Sequence, residues 1–400
     1  MSLNDTVSAD RIHISFFGRR NVGKSSLLNA VTGQNISVVS DVLGTTTDPV
    51  KKAMELLPLG PVMIIDTPGF DDEGALGELR VEKTREILAK TDVAVLVVDA
   101  NSETDGREQE FISLVREKKL PLVIAHNKAD LLSDIPKTTE NEIWVSAEKN
   151  INIRELKELL ASLSKSQKNE RKIVSDLLLK GDVVVLVTPI DESAPKGRLI
   201  LPQQQTLRDI LDNGSIAIVT QVEELSKTLE SLNNPPKMVI TDSQAFQKVS
   251  KLVPENIPLT SFSILFARYK GNLPEQIKGA SQLSKLKDGD KVLISEGCTH
   301  HRQCGDIGTV KMPCWIRNYS GAEPEFVFTS GGEFPKELRG YKLIVHCGGC
   351  MLNEAEMKHR VLSAKNSGVP VVNYGVAIAH MNGILKRSLE LFPDVLSLLD

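Results

Sequence analysis

The sequence predicts an α/β protein with mainly parallel sheets, organised as three successive domains. Short apolar runs alternate with helical patterns along the chain, which is typical of parallel βαβ units. A glycine-containing loop at residues 18–25 follows one of the first apolar runs and precedes a helical pattern. The 400 residues, 41% hydrophobic and 25% charged, have an ordinary globular composition with room for two or three domains.

The loop at residues 18–25 has the spacing of a phosphate-binding loop, with Lys24 and Ser25 at its end. A strand at 13–17 and a helix beginning near Lys24 would present backbone N–H groups to a β-phosphate. Lys24 would neutralise β- and γ-oxygens, and Ser25 would bind Mg²⁺. The predicted nucleotide-binding residues of this loop are Gly18, Asn21, Val22, Gly23, Lys24, Ser25 and Ser26. We therefore predict an N-terminal P-loop domain.

A second motif follows the apolar run at 62–65. Asp66 places a carboxylate where it can bind Mg²⁺ together with Ser25, and Gly69 places an amide near the γ-phosphate.

Two further motifs decide between ATP and GTP. The Asp130 carboxylate can accept hydrogen bonds from the guanine N1–H and 2-amino groups, which adenine cannot donate. Asn127 and Lys128 precede it, and Ser146 with Ala147 supplies backbone contacts to the guanine O6. Each motif occurs by chance, but four in order, each at the end of a predicted strand, predict a GTPase.

Two details concern hydrolysis. Phe70 follows Gly69, so no glutamine there orients the attacking water. Asn21 and residues 44–48 resemble the potassium-activated GTPases related to the tRNA-modifying enzyme TrmE. That resemblance implies that Asn21 helps to bind K⁺ and that Thr46 completes the Mg²⁺ shell. The alternative for Asn21 is a turn residue that satisfies its own backbone.

The predicted catalytic residues are Lys24, Asn21 and Thr46. Glu78 is a further candidate for orienting water, although a solvated carboxylate at a helix start explains it equally well.

Charge and hydrophobicity exclude several functions. The net charge of −4 offers no basic field for nucleic acid. The N-terminus lacks the pattern of a signal peptide, and no stretch approaches 18 uninterrupted apolar residues. We expect a cytoplasmic protein without nucleic-acid or membrane partners.

The domain boundaries follow the change of pattern. A closing helix at 153–160 and a polar linker at 164–172 end the first domain. Apolar runs then predict strands at 183–187, 216–219, 238–240, 262–266, 292–294, 326–328, 343–345 and 371–374. We predict a GTPase domain at 1–168, a packing or dimerisation domain without Cys or His at 169–268, and a third domain at 269–400.

The five cysteines all lie between positions 298 and 350. In a cytoplasmic chain such clustering favours metal over disulfides. Cys347 and Cys350 flank two glycines, whose N–H groups can approach sulfides as in iron–sulfur loops. Cys298 and Cys347 each follow a predicted strand, so parallel pairing would bring them to one edge.

Three thiolates, Cys298, Cys347 and Cys350, suit a [4Fe–4S] cluster with one open iron. The fourth ligand stays open among His300, His301, His346, Asp306 and an exogenous group. Zinc and a redox Cys-x-x-Cys are the competing interpretations. Cys304 and Cys314 are assigned no ligand role.

The union of GTPase motifs with these cysteines resembles the HydF family, the GTPases that mature iron–iron hydrogenases. The family signature Cys-x-His … His-Cys-x-x-Cys is matched by Cys298, His300, His346, Cys347 and Cys350. The resemblance covers nearly the whole chain and implies a homodimeric carrier that binds a [4Fe–4S] cluster and a transient diiron subcluster. It also implies the radical-SAM maturases HydE and HydG and the apo FeFe-hydrogenase as partners. The alternatives are an RNA- or ribosome-associated GTPase with structural zinc and a stand-alone redox enzyme.

Overall fold

The structure, a computed structural model, describes residues 11–34, 49–69, 75–167, 172–189, 199–270, 273–297, 306–349 and 351–399. Of residues 75–81 and 165–167 it describes the backbone. The chain divides into two compact units, residues 1–170 and 171–400.

The first unit contains a six-stranded sheet in the order β2-β3-β1-β4-β5-β6. The edge strand β2 is antiparallel to β3, and the other pairs are parallel. Its elements are β1 (Ile12–Gly18), α1 (Lys24–Thr32), β2 (Val50–Leu56), β3 (Gly60–Asp66), α2 (Ala75–Leu88), β4 (Val93–Asp99), α3 (Gly106–Glu117), β5 (Leu122–Asn127), β6 (Glu142–Trp144) and α4 (Ile153–Gln167).

Both faces of this sheet are covered, which explains why its central strands are almost continuously apolar. Successive side chains point to opposite faces, so Ile14 and Phe16 of β1 enter one core with Leu27 of α1. Phe17 enters the other core, against Phe111 of α3. The polar loops that follow the central strands are therefore held by buried strands.

The second unit contains two four-stranded sheets, both wholly parallel, in the orders β10-β9-β7-β8 and β12-β11-β13-β14. The predicted α/β fold class is confirmed. The strands are β7 (Val183–Val187), β8 (Ile216–Thr220), β9 (Met238–Thr241), β10 (Leu259–Ser261), β11 (Lys291–Ser295), β12 (Glu325–Thr329), β13 (Leu343–His346) and β14 (Val371–Asn373).

The helices of the second unit connect and cover these strands. They are α5 (Leu201–Asp212), α6 (Leu225–Glu230), α7 (Phe246–Leu252), α8 (Phe262–Lys270), α9 (Leu273–Ala280), α10 (Met312–Ser320), α11 (Glu354–Asn366), α12 (Tyr374–Met381), α13 (Leu385–Ser388) and α14 (Pro393–Leu396). A π-helical turn, Ile307–Lys311, precedes α10. One buried core joins residues of both sheets, for example Leu186 of β7, Ile240 of β9 and Ile294 of β11, through α8.

The predicted strand at 262–266 is wrong, because these residues begin α8 and the strand of this region is the preceding β10. A short apolar run alone does not distinguish a strand from a buried helix. The hydroxyl of Ser261 accepts a hydrogen bond from the Ile264 N–H at 3.3 Å, which satisfies a free donor at the helix start.

Two boundaries also differ from the sequence prediction. The predicted linker at 164–172 begins too early, because α4 continues to Gln167. The strand predicted at 371–374 ends at Asn373, whose side chain accepts from the Val376 N–H at 2.7 Å and starts α12 at Tyr374.

Gly279 is a position where the packing of α9 on β14 excludes a side chain. A Cβ there would lie 2.0 Å from the Val371 carbonyl oxygen. We expect Gly279→Ala to lower the free energy of unfolding of the second unit by about 1–3 kcal/mol. Urea titration followed by Trp315 fluorescence, in a Trp144→Phe background, measures this unit. Gly340→Ala is the control, since a Cβ there meets nothing within 4 Å. Equal effects of the two substitutions would contradict this packing.

Candidate functional site

The phosphate loop connects β1 to α1 at the carboxyl edge of the first sheet. β1 ends at Gly18 and α1 begins at Lys24, as predicted. Asn21 and Gly23 have left-handed φ angles of 62° and 80°. Left-handed residues within such a turn direct successive backbone N–H groups toward one point, which forms a concavity for an anion.

Close neighbours require glycine at two positions of this loop. A Cβ on Gly18 would lie 2.5 Å from the carbonyl oxygen of Val97, and a Cβ on Gly23 would lie 2.3 Å from Nδ2 of Asn127. Both distances are far shorter than a van der Waals contact. A side chain at either position would therefore displace the loop from β4 or β5.

Lys24 and Asp66 form an ion pair between Nζ and Oδ1, with both side chains only 11% exposed. The Thr67 hydroxyl donates to the Phe16 carbonyl oxygen at 2.7 Å and holds the chain after β3 against β1. The predicted phosphate-binding cation and the predicted Mg²⁺ carboxylate thus lie side by side, with half-buried Ser25 following Lys24. Ser25 and Asp66 are the described residues that would hold Mg²⁺.

The predicted guanine motif follows β5 directly. Lys128 has a left-handed φ of 65°, and its Nζ lies 2.7 Å from Oδ2 of Asp99. Burial raises the pKa of Asp99, but hydrogen bonds from Lys128 and Asn101 outweigh it and bring the pKa below its usual value. Asp99 is therefore a carboxylate at neutral pH and fixes the Lys128 side chain. Asp130 lies in the short 3₁₀ turn Ala129–Leu131.

Asn127, almost fully buried, connects three loops of the site. Its Nδ2 donates to the carbonyl oxygens of Val22 at 3.0 Å and Gly23 at 3.4 Å, and its Oδ1 accepts from the Ala147 N–H at 3.1 Å. One amide therefore couples the phosphate loop to both guanine motifs.

The turn after β6 is closed by its own hydrogen bonds. Ser146 pairs with Ile151 through two backbone hydrogen bonds of 3.1 Å, and its hydroxyl accepts from the Lys149 N–H at 3.0 Å. Asn150 and Asn152 both have a left-handed φ of 55°. The turn therefore holds Ser146 and Ala147 beside Asn127.

Three residues of the hydrolysis hypothesis are not placed by these contacts. Thr46 and Phe70 lie outside the described residues, and of Glu78 only the backbone, within α2, is described.

The second candidate site lies at the carboxyl edge of the third sheet. β11 and β13 are neighbours and parallel, with Ser295 paired to His346. Cys347 follows β13, and its Sγ accepts hydrogen bonds from the Gly297 N–H at 3.0 Å and the Gly349 N–H at 3.4 Å. Backbone donors favour the thiolate, the form that binds metal.

His346 is 3% exposed, and hydrogen bonds engage both of its ring nitrogens. Nδ1 lies 2.7 Å from the Cys347 carbonyl oxygen, and Nε2 lies 3.1 Å from the guanidinium of Arg360, a residue of α11. Arg360 is also 2% exposed.

The sequence analysis did not find Glu296, Tyr374 or Arg360. The Tyr374 hydroxyl donates to Oε1 of Glu296 at 3.1 Å, and Gly308 packs against both groups. Burial, with the negative charge of Glu296 and Cys347, raises the pKa of Tyr374 far above its usual value, so this phenol stays a donor. The available signals were a Glu two residues after one predicted strand and, for Arg360, a charge on the apolar face of a helix.

The remaining predicted ligands of this site are only partly placed. Cys298, His300, His301, Cys304 and Cys350 lie outside the described residues. Asp306 caps the π-helical turn, where its Oδ2 accepts from the N–H and the hydroxyl of Thr309. Cys314 is exposed on α10.

Three family models match the chain. The hydrogen maturase F dimerization domain matches residues 173–271, and the hydrogen maturase F tetramerization domain matches residues 274–391. The chain belongs to the hydrogen maturase F (HydF) family. A third model, described as a 50S ribosome-binding GTPase, matches residues 13–128. The first unit of this HydF-family chain is therefore a P-loop GTPase domain, and its two later domains are of types that associate with themselves.

Curated relatives match the GTPase part of this HydF-family chain. The tRNA modification GTPase MnmE of Thiobacillus denitrificans is 37% identical over 134 residues, which are 32% of this chain and 29% of the relative. MnmE of Nitrosospira multiformis is 32% identical over 159 residues, 38% of this chain and 35% of the relative. The chain thus spans about a third of the length of the curated relatives it matches.

Solved structures were also compared with this HydF-family chain. A probable GTP-binding protein engB is 25% identical to this chain, with a TM-score of 0.32. The match covers 39% of this chain and 100% of the engB chain. A variant of Aquifex aeolicus Era bound to GDP·AlF₄⁻ is 16% identical to this chain, with a TM-score of 0.34. The match covers 80% of this chain and 92% of the Era chain.

Among the described residues, no helix combines the length and apolarity needed to cross a bilayer.

Asn127 provides a test of the coupled loops. We expect Asn127→Ala to weaken GDP binding by about 2–3 kcal/mol, roughly 30- to 150-fold, because the carbonyls of Val22 and Gly23 and the Ala147 N–H lose their partner. Calorimetric titration measures the affinity. Asn141→Ala, at an exposed position, is the control and should bind GDP as the unsubstituted protein does. An unchanged affinity for Asn127→Ala would show that its hydrogen bonds do not organise the site.

Proposed function

We propose that this protein is a GTP-hydrolysing carrier in the maturation of FeFe-hydrogenase, which binds a [4Fe–4S] cluster and delivers a diiron subcluster to the apo-hydrogenase. The observation that carries the proposal is the pair of backbone N–H groups on Cys347 Sγ. Gly297 directly precedes Cys298, and Gly349 directly precedes Cys350.

Cys347 is the proposed thiolate ligand that the structure describes, and its Sγ already accepts hydrogen bonds from two backbone N–H groups, as a sulfur of an iron–sulfur loop would. In the sequence, each of these two N–H groups belongs to the residue that directly precedes another proposed cysteine ligand. Three cysteines would suit the Cys-rich ligation of a [4Fe–4S] cluster. When bound, the cluster would supply an open iron at which a bridging ligand of the diiron cargo attaches.

The fourth position would be taken by His300, His301, His346, Asp306 or an exogenous group. Asp306 already accepts two hydrogen bonds, so its binding to iron would compete with the cap of the π-helical turn.

Each domain would carry out a separate part of this function. Residues 1–168 would bind and hydrolyse GTP, residues 169–268 would form the homodimer, and residues 269–400 would hold the cluster. The matches to dimerization and tetramerization domains support the self-association in this scheme. The maturases HydE and HydG would supply the cargo, and we propose that all of this occurs in the cytoplasm.

GTP would act on partner association and not on the cluster chemistry. Lys24 would neutralise the β- and γ-phosphates, while Ser25, Asp66 and Thr46 would hold Mg²⁺. Hydrolysis would release residues ordered by the γ-phosphate, as in other GTPase switches. The net charge of −4 supports protein partners over RNA.

The cysteine set provides the main test. We expect Cys298→Ser, Cys347→Ser and Cys350→Ser each to lose most bound iron and sulfide after anaerobic reconstitution, measured by elemental analysis and electron paramagnetic resonance. Each change removes one of three thiolates. Lys24→Ala should lose GTP hydrolysis but keep its iron, because the two sites lie in separate units.

Cys314→Ser is the matched control, since Cys314 is exposed on α10, and Cys304→Ser should also be tolerated. Full iron content in Cys347→Ser would overturn the ligand set. Zinc in place of iron, with salt-sensitive RNA binding, would instead support a ribosome-associated GTPase.

The monovalent ion is tested separately. If Asn21 helps to bind K⁺, GTP hydrolysis should be several-fold faster in K⁺ than in Na⁺, and Asn21→Gly should remove the difference. Glycine accommodates the left-handed φ of 62° and deletes only the side-chain amide. Steady-state phosphate release in matched salts is the measurement, with Asn141→Ala, at an exposed position, as the control that should keep the difference between the salts. Equal rates in both salts would leave Asn21 as a turn residue.

A further inference from the structure

A cluster of buried polar residues beside the Cys347 loop has no role in the proposed function. It consists of Arg360 with its partners Ser295, Gly331, His346 and Glu356, and is called here the Arg360 cluster. The guanidinium donates to the Gly331 carbonyl oxygen at 2.7 Å and to Oε1 of Glu356 at 2.6 Å. It also lies 5.1 Å from the ring centroid of Phe334. These contacts hold Arg360 in one place.

The other contacts of Arg360 reach the ends of two strands. Its Nη1 donates to the Ser295 hydroxyl at 3.3 Å and to Nε2 of His346 at 3.1 Å. Ser295 ends β11 and His346 ends β13, so one guanidinium nitrogen joins the strands that lead to Cys298 and Cys347.

The partners of His346 determine its tautomer. A carbonyl oxygen only accepts hydrogen bonds, so Nδ1, at 2.7 Å from the Cys347 carbonyl, carries the proton. A guanidinium only donates, so Nε2 is unprotonated and its lone pair faces Arg360. In this arrangement neither nitrogen offers a lone pair to a metal.

We propose that Arg360 is a positioning residue which fixes the Nδ1–H tautomer of His346, and that His346 holds the Cys347 loop and does not bind iron. The role assigned to the loop rests on the proposed function, whereas the tautomer is a property of the protein without metal. Hydrogen bonds that orient metal ligands typically change metal affinity or activity by about 10- to 100-fold when they are removed.

The tautomer is tested without iron. In the full-length apoprotein labelled with ¹⁵N-histidine, long-range ¹H–¹⁵N spectra should show a protonated Nδ1 and an unprotonated Nε2 for His346, assigned by its loss in His346→Gln. Arg360→Met should lose this single pattern, whereas Arg360→Lys, which keeps a donor, should retain it in part. An Nε2–H tautomer in the unsubstituted protein would overturn the proposal, whatever the cluster experiments give.

Arg317→Met is the matched control. Arg317 also lies 5.1 Å from a phenylalanine ring centroid, that of Phe326, but it pairs with exposed Glu323. The Arg317→Met substitution should leave the His346 spectrum unchanged. Because Arg360→Met removes the guanidinium that lies beside the buried Glu356 carboxylate, the double variant Arg360→Met/Glu356→Gln repeats the test if the single variant does not fold.

Pulsed electron paramagnetic resonance of the reconstituted protein tests the second half. His346→Asn keeps a donor for the Cys347 carbonyl and has no imidazole, so any strong ¹⁴N coupling of the cluster should be the same as in the unsubstituted protein. A coupling that disappears in His346→Asn but persists in His300→Ala would make His346 a ligand. If no cluster assembles at all, the proposed function fails while the tautomer result stands.

Discussion

Parallel strand pairing is the constraint on which both sites depend, because it brings the carboxyl ends of neighbouring strands to one edge of a sheet. In the third sheet the register pairs Ser295 with His346, and therefore places Gly297 against Cys347 Sγ. A slip of one residue would reverse the faces of all side chains on the strand. Val292 and Ile294 of β11 pack in one core and Leu293 packs in another, so this slip would move each side chain out of the core that it fits.

Strand pairing determines which loops meet at the sheet edge, whereas single buried side chains determine the conformation of those loops. Asn127 connects three loops of the GTPase domain, and Arg360 connects two strand ends beside Cys347. Both are almost fully buried, where an unpaired polar group is costly, so each holds its partners firmly. At both sites, therefore, one buried polar side chain fixes the surrounding backbone.

The sequence was sufficient for the α/β class, the phosphate loop and the edge that carries Cys347, because these follow from local spacing and strand order. It was insufficient at 262–266, where an apolar run is compatible with strand or helix until Ser261 caps the helix. It also gave no sign of the contact between Arg360 and His346 Nε2 at 3.1 Å, since only the fold brings these two side chains together. Glu296 and Tyr374, 78 residues apart, meet for the same reason.

Because Gly23 contacts Asn127, the phosphate loop cannot be transferred to another protein by itself. The loop's geometry depends on a side chain more than a hundred residues away, whose amide holds the Val22 carbonyl and would meet any Cβ at Gly23. If residues 18–25 alone were placed in a short peptide or in the sheet of another protein, they would keep their sequence but would not adopt the same backbone conformation. Conversely, substitutions at positions 23 and 127 would not combine additively, because each residue defines the space available to the other.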